Sequence, residues 1–296
     1  MTNIKSERAF THTPRLLLVG GRGYIGKRIT EICLPEYELI CTSSINSNDS
    51  LKLDLAKPSC FDYSQVQAGD VCLLTAAISS PDVCLSKYEY AWSINVTGTS
   101  EFISRLIDLG VRIVFFSSDT VYGQCETPFD EKLVCNPVGE YAVMKYEVEK
   151  RFLNHSQFKS VRLSYVFSHE DKFTRYLISC AQDNKEADLY HPFYRAIVHR
   201  DDVVEGVLSL AKNWDVFPHS IINFGGPDVL SRIDFAEIIR QQVLPQLKYR
   251  HIFPEDDFFV KRPRTIAMLS PFLRQLLGRP PHKLAEAVKT ENIALA

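Results

Sequence analysis

From Arg15 onward, short continuous apolar runs alternate with longer stretches in which apolar residues recur every three or four positions. LLLV (16–19), YELICT (37–42), DVCLLTA (70–76), VRIVFFSS (111–118) and SVRLSYVF (160–167) have the length and composition of strands covered on both faces. The periodic stretches between them predict helices over 24–33, 81–109 and 139–152. Strand–helix alternation of this kind builds a doubly wound parallel sheet, an α/β fold of Rossmann type. After Phe167 the rhythm changes. Short strand candidates (195–199, 220–224, 249–253) mix with helices (202–212, 231–243) and prolines, which predicts a smaller C-terminal α+β lobe at the sheet's carboxyl edge. The expected division is a disordered arm at 1–14, a parallel-sheet domain at 15–166 and a smaller lobe at 167–296. Residues 202–224 are expected to pack back on the sheet.

Composition narrows the partners. The chain has 296 residues, 34 basic and 36 acidic, for a net charge of −2, which does not fit a general nucleic-acid or polybasic membrane binder. No apolar run approaches the ~18 residues of a membrane span, and the first fourteen residues lack the apolar core of a secretory signal. The 8 cysteines are scattered, with no C-x-x-C, and several sit in apolar runs where a thiol behaves as a small hydrophobe. These features predict a reducing, cytoplasmic setting. No histidine pair has ligand spacing, so no metal is expected.

The first strand runs into LLLVGGRGYIG, which places Gly20, Gly23 and Gly26 between a strand and a helix. A turn of this kind brings the backbone close to a pyrophosphate, with the N–H groups of the helix start aimed at it. The second strand ends Cys41-Thr42-Ser43-Ser44, without the acid that usually holds an NAD ribose. Arg22, inside the turn, is placed to meet a 2′-phosphate with help from Ser43 and Ser44. NADP is therefore expected over NAD.

Tyr141 and Lys145 form Y-x-x-x-K on one face of a predicted helix. Carbonyl reduction needs a proton donor, and a free tyrosine, with a pKa near ~10, exchanges poorly at neutral pH. A lysine ammonium at ~4 Å stabilises the phenolate by ~4 kcal/mol at an effective dielectric of ~20, which brings the tyrosine into range. A second copy, Tyr146 with Lys150, is rotated about 140° away and is expected to be packing. Ser118 ends the preceding strand in FFSSDTVYG, where its hydroxyl can meet a substrate carbonyl.

Taken in order, these motifs resemble the extended short-chain dehydrogenase/reductases, the NAD-dependent epimerase/dehydratase family. The resemblance covers nearly all of the chain from Arg15. It implies Ser118, Tyr141 and Lys145 as the catalytic triad, with Asp119 touching a sugar hydroxyl or assisting acid–base exchange. It also implies a cofactor set of Gly20, Arg22, Gly23, Tyr24, Ile25, Gly26, Ser43, Ser44, Asp54, Leu55, Ala76, Ala77, Tyr141, Lys145 and Val166, and a structural role for Asn95. Segments 199–210 and 222–239 and the Arg-Pro at 262–263 are similar to nucleotide-sugar enzymes, above all the dTDP-4-dehydrorhamnose reductase family. Thr120 stands where sugar dehydratases carry a base, so the pattern implies a reductase of a 4-keto nucleotide sugar. Two departures, LYHPFYRA (189–196) and Ser270, bear on the particular sugar.

Arginine suits a diphosphate because its planar fork gives paired, charge-assisted hydrogen bonds. Arg262 and Arg264 are the first candidates, with Arg200 and Arg175 behind them. An NAD-dependent nucleotide-sugar epimerase and a non-catalytic NADP-binding regulatory subunit are the alternatives. The partner is a small-molecule nucleotide-diphosphate sugar in either enzymatic case. A homodimer is the family habit.

Overall fold

A computed structural model describes residues 13–33, 37–45, 49–291 and 293; the expected arm at 1–14 lies almost entirely outside them. The first half runs β1 (Leu16–Val19), α1 (Tyr24–Cys33), β2 (Leu39–Ser43), β3 (Leu51–Lys52), β4 (Val71–Leu74), α2 (Pro81–Ser86), α3 (Tyr88–Trp92), α4 (Thr99–Asp108), β5 (Arg112–Ser118), β6 (Cys125–Phe129) and α5 (Glu140–Phe152). It continues with β7 (Phe158–Leu163), β8 (Val166–Phe167), α6 (Lys172–Gln182), β9 (Glu186–Tyr190), β10 (Tyr194–Ala196), β11 (Val198–His199), α7 (Arg200–Lys212) and β12 (Ile221–Phe224). The last stretch holds β13 (Val229–Ser231), α8 (Arg232–Gln242), β14 (Lys248–Ile252), α9 (Asp256–Phe259), β15 (Thr265–Met268), α10 (Pro271–Leu277) and α11 (Leu284–Thr290).

The main sheet has 7 strands in the order β12-β7-β5-β4-β1-β2-β3, and every pairing is parallel. That order winds outward in two directions from β1 and β4, so helices cover both faces. One face packs Ile29 and Cys33 of α1 and Val203, Val204 and Val207 of α7 against Leu16, Leu18 and Leu73. The other packs Phe102, Ile103 and Leu106 of α4 and Val148 and Phe152 of α5 against Leu17, Cys72 and Phe115. All four residues of β1 are buried, each contributing roughly 1.5–3 kcal/mol of apolar burial. Continuous apolar strands were legible for this reason. β12, although late in the chain, completes the sheet beside β7.

Two elements differ from the pattern-based expectation. The single helix expected over 81–109 is broken at Lys87 and then opens into a π-helical turn at Ser93–Gly98. Asn95 in that turn bonds both backbone groups of Ile78, accepting from its N–H at 2.8 Å and donating to its carbonyl at 2.9 Å. The strand expected over 160–167 splits into β7 and β8: β7 stays in the main sheet, while β8 pairs with β11 in a separate 2-stranded piece.

A second sheet of 4 strands, β13-β10-β15-β6, stands at the carboxyl edge of the first. β6 comes from the first half of the chain, so the two halves share this sheet. No helix among the described residues is long and apolar enough to cross a membrane.

Candidate active site

In a parallel sheet every strand delivers its carboxyl end to one edge. Here β1, β4 and β5 bring the glycine turn, Ala76-Ala77 and Ser118 to that edge. The turn is tight: the Gly23 N–H donates to the Gly20 carbonyl at 2.9 Å. Gly20 has φ +95°, and a Cβ there would lie 2.7 Å from Thr75 Oγ1 and 2.9 Å from the Ala76 nitrogen. A Cβ on Gly26 would fall 2.2 Å from the Gly20 carbonyl oxygen, so helix α1 can press onto the turn only with glycine there. α1 has no acid in its first turn, which leaves its positive end open to an anion. Beside the turn lies a groove of about 340 Å³ lined by Gly20, Arg22, Gly23, Ser43, Ser44, Asp54, Leu55, Ala76 and Ala77. Val19, Thr42, Ile45, Leu53, Ile78, Tyr90 and Ile94 complete its walls, none of which the motif reading had singled out as a site residue. This cradle fits a dinucleotide.

The remaining members of the expected cofactor set lie elsewhere. Gly26 is buried under the turn, and Ile25 packs into the core under α1. The Tyr24 hydroxyl donates to Ser168 Oγ at 2.8 Å and to the Val166 carbonyl at 3.3 Å, tying α1 to β8. Burial pushes the Tyr24 phenol well above its ordinary pKa.

Tyr141 and Lys145 share the inner face of α5, with Lys145 Nζ 5.8 Å from the Tyr141 ring centroid. Lys145 is buried, and Nζ donates to the Phe116 carbonyl at 2.7 Å while standing 4.5 Å from the Phe115 ring centroid. Burial pulls its pKa down to about 8. Tyr141 makes no hydrogen bond to a described residue, and burial, with Cys84 and Asp119 nearby, pushes its phenol above the ordinary range. The expected effect of Lys145 on Tyr141 is therefore not present in this state. The ammonium is held by the Phe116 carbonyl rather than by the phenol.

Ser118 Oγ lies 2.9 Å from Thr120 Oγ1 and accepts from the Thr120 N–H at 3.3 Å. Asp119 is buried; its Oδ2 accepts from Ser164 Oγ at 2.9 Å and sits 3.7 Å from Arg195 Nε. Burial raises its pKa, against the pull of Arg195. Thr120, not Asp119, reaches the cavity wall, so contact of Asp119 with a sugar hydroxyl finds no support in this geometry. Tyr146 turns away from the site into the cluster of Val121, Tyr122 and Phe129, with Lys150 over its ring.

Tyr141 also lines a cavity of about 550 Å³ between the α5 start and the lobe. Its walls are largely apolar and aromatic, including Leu85, Val138, Tyr190, Phe193 and Phe258, with Arg195, Arg232 and Arg262 among them. Of the four candidate arginines, only Arg262 is on this wall; it donates to Asp82 at 2.8 Å. Arg264, in the bend before β15, turns to Asp256 and Arg200 to Glu170 beside Tyr24, while Arg175 is exposed on α6. Arg195 and Arg232 were missed. The signal for Arg195 was an arginine inside an otherwise apolar strand; that for Arg232 was its place inside a serine–aspartate capping box, between Ser231 and Asp234.

A nucleotide-sized cradle at the carboxyl edge, beside a second cavity walled by Tyr141, marks a dinucleotide-binding α/β fold. A family model described as the NAD dependent epimerase/dehydratase family matches residues 16–225. The chain belongs to that family. Among curated relatives, methionine adenosyltransferase 2 subunit beta of Xenopus tropicalis is 26% identical over 143 residues, 46% of this chain and 43% of its own length. The Bos taurus protein of the same name is 24% identical over 198 residues, 64% and 59% of the two chains. The chain thus spans about half the length of the curated relatives it matches. MoeE5 in complex with UDP-glucuronic acid and NAD superposes with a TM-score of 0.79 at 18% identity, covering 94% of this chain and 97% of that one. A hypothetical dTDP-4-dehydrorhamnose reductase from Sulfolobus tokodaii gives 0.76 at 21% identity, covering 91% and 98%. At these identities the structures speak for the fold.

Proposed function

We propose that the protein is an NADP-dependent reductase of a 4-keto nucleotide sugar. The observation that carries this reading is Tyr141 on the wall of the 550 Å³ cavity, on one helix face with Lys145 and close to the groove that fits the cofactor. Gly20, Gly23 and the flanking serines would hold the cofactor, which would supply the hydride. Tyr141 gives the proton to the carbonyl oxygen, Ser118 orients that oxygen, and Lys145 holds positive charge beneath the tyrosine. Thr120, a residue that cannot act as a carboxylate base, favours reduction over dehydration. Arg22 is exposed at the groove, and Asp54, the one acid on its wall among the described residues, is turned to the Ala56 N–H at 2.9 Å. That charge pattern favours a 2′-phosphate.

Arg262 is the substrate-side arginine of this reading. Its bond to Asp82 is solvent-exposed, and such pairs contribute only about 0–1 kcal/mol, so a diphosphate can displace it.

Purified protein given NADPH and a 4-keto-6-deoxy sugar nucleotide is expected to oxidise the cofactor, with Tyr141→Phe losing at least about 10²-fold in rate. Unchanged turnover by the Phe variant would falsify the role of Tyr141. Turnover of nucleotide sugars with copurified NAD and no added NADPH would point to an epimerase instead. One observation favours a second reading, a cofactor-binding regulatory subunit: several curated relatives carry a subunit name. On that reading the protein binds NADPH and leaves it unoxidised with every sugar nucleotide offered.

A further inference from the structure

The three arginines on the cavity wall are not equivalent. Arg195 is committed to the protein: its guanidinium donates to the Tyr194 carbonyl at 2.7 Å and the Pro263 carbonyl at 2.8 Å, and Asp119 neutralises its other side. Arg262 has Asp82 and the Phe258 carbonyl. Arg232 has no hydrogen bond or ion pair to any described residue. Its guanidinium lies between two aromatic faces, 4.7 Å from the Phe173 ring centroid and 5.1 Å from that of Phe193.

The acids that could have served Arg232 are already engaged. Asp234, two residues on, accepts from the Ser231 N–H and hydroxyl. Asp171 accepts from the Tyr165 and Thr174 hydroxyls and the backbone of Ser168, Phe173 and Thr174. None of its nitrogens is sealed from solvent, so its donors are free for a ligand, and the two flanking rings hold the plane of the fork in place. An oxyanion, carboxylate or phosphate, can accept two parallel N–H bonds from that fork.

We propose that Arg232 is the anion receptor of the cavity, binding a phosphate or carboxylate group of the substrate. The inference deepens the nucleotide-sugar reading and rests on it for the identity of the occupant. The shared chemistry is an oxyanion. It belongs either to the diphosphate or to a carboxylate on the sugar.

The test is calorimetric titration of the full chain at low ionic strength with two probes, inorganic pyrophosphate and D-glucuronate, on wild type, Arg232→Gln and Arg232→Lys. Pyrophosphate taken up by the glycine turn is common to all three proteins and cancels in the comparison. The wild type is expected to bind at least one probe at the cavity, Arg232→Gln at least tenfold more weakly. Arg232→Lys, which keeps the charge and loses the fork, is expected to fall between them and serves alone if the Gln variant does not fold. Loss confined to pyrophosphate assigns the site to the diphosphate, and loss that includes glucuronate assigns it to a sugar carboxylate. Equal binding by wild type and variants, or no binding of either probe by the wild type, overturns the proposal. NADPH oxidation is measured in parallel. Its absence, with Arg232-dependent anion binding intact, removes the reductase reading and leaves this inference standing.

Discussion

Lys145 should make the cofactor-free protein less stable at neutral pH, and replacing it should reveal that cost. In the folded chain its pKa falls from the ordinary 10.5 to about 8, with burial as the leading cause. At about 1.4 kcal/mol per pH unit, holding a charged ammonium there at pH 7 costs about 3 kcal/mol. Lys145→Met removes that cost and keeps the stem's packing. It also strips the Phe116 carbonyl of its donor and the Phe115 ring of its cation, together worth about 1–2 kcal/mol. The variant is therefore expected to be more stable than wild type by about 1–2 kcal/mol at pH 7, while losing activity. Between pH 8 and 10.5 the unfolded lysine holds a proton that the folded one has released, so wild-type stability rises with pH across that window and is flat below it. Near pH 10.5 the advantage of the variant should vanish or reverse. Lys159, whose pKa burial also lowers to about 8, contributes the same slope to both proteins and cancels in the difference. Urea unfolding of both proteins at pH 7 and pH 10 measures it. A variant that is less stable at pH 7, or a difference that does not change with pH, would refute the reasoning.

Two further outcomes test the cofactor cradle. Arg22→Ala is expected to weaken NADPH binding at least tenfold and to leave NADH nearly unchanged, read by fluorescence titration; equal losses for both would remove the 2′-phosphate role. Gly26→Ala puts a methyl 2.2 Å from the Gly20 carbonyl oxygen, a backbone atom that cannot step aside, so Tm should fall by roughly 5 °C or more and dinucleotide binding should be lost. Near-normal NADPH affinity in that variant would mean the turn can open.

Much of this arrangement was readable because its physical causes are local. LLLV at 16–19 and VCLL at 71–74 sit in the middle of a sheet covered on both faces, and nothing but an unbroken apolar run satisfies that position. The glycines were readable because sterics at Gly20 and Gly26 exclude every other residue. That Tyr141 and Lys145 share a face follows from helix geometry, but preferring them to Tyr146 and Lys150 took the order of the motifs around them. The break of the 81–109 stretch was hidden, since the π turn exists to aim Asn95 at Ile78, a contact between residues 17 apart that no periodicity carries. The direction of each arginine was hidden for the same reason. Arg262 and Arg264 are two positions apart in the chain, yet one lines the cavity and the other turns to Asp256, because the bend through Pro263 breaks the period-two alternation that would have put them on one side. Residue type marked them as candidates; only the fold chose between them.

The cavity is joined across the two halves of the chain by ion pairs of different kinds. At its floor, Asp119 after β5 meets Arg195 on β10, with side chains 6% and 9% exposed. At its rim, Glu140 of α5 meets Lys261, and Asp82 of α2 meets Arg262, where the side chains are 20% to 79% exposed. Removing one partner of a buried pair strands the other charge, at about 3–5 kcal/mol. An exposed pair contributes about 0–1 kcal/mol and is screened by salt. The floor is therefore fixed by the same energetics that leave the rim free to exchange partners. β6 strengthens the floor further, since it lies in the lobe's own sheet beside β15 and leads from Ser118 and Asp119 directly into it. An anionic substrate entering this cavity can take Arg262 from Asp82 at little cost, but it cannot take Arg195 from Asp119 without disturbing the end of β5. The wall arginine left with neither constraint is Arg232.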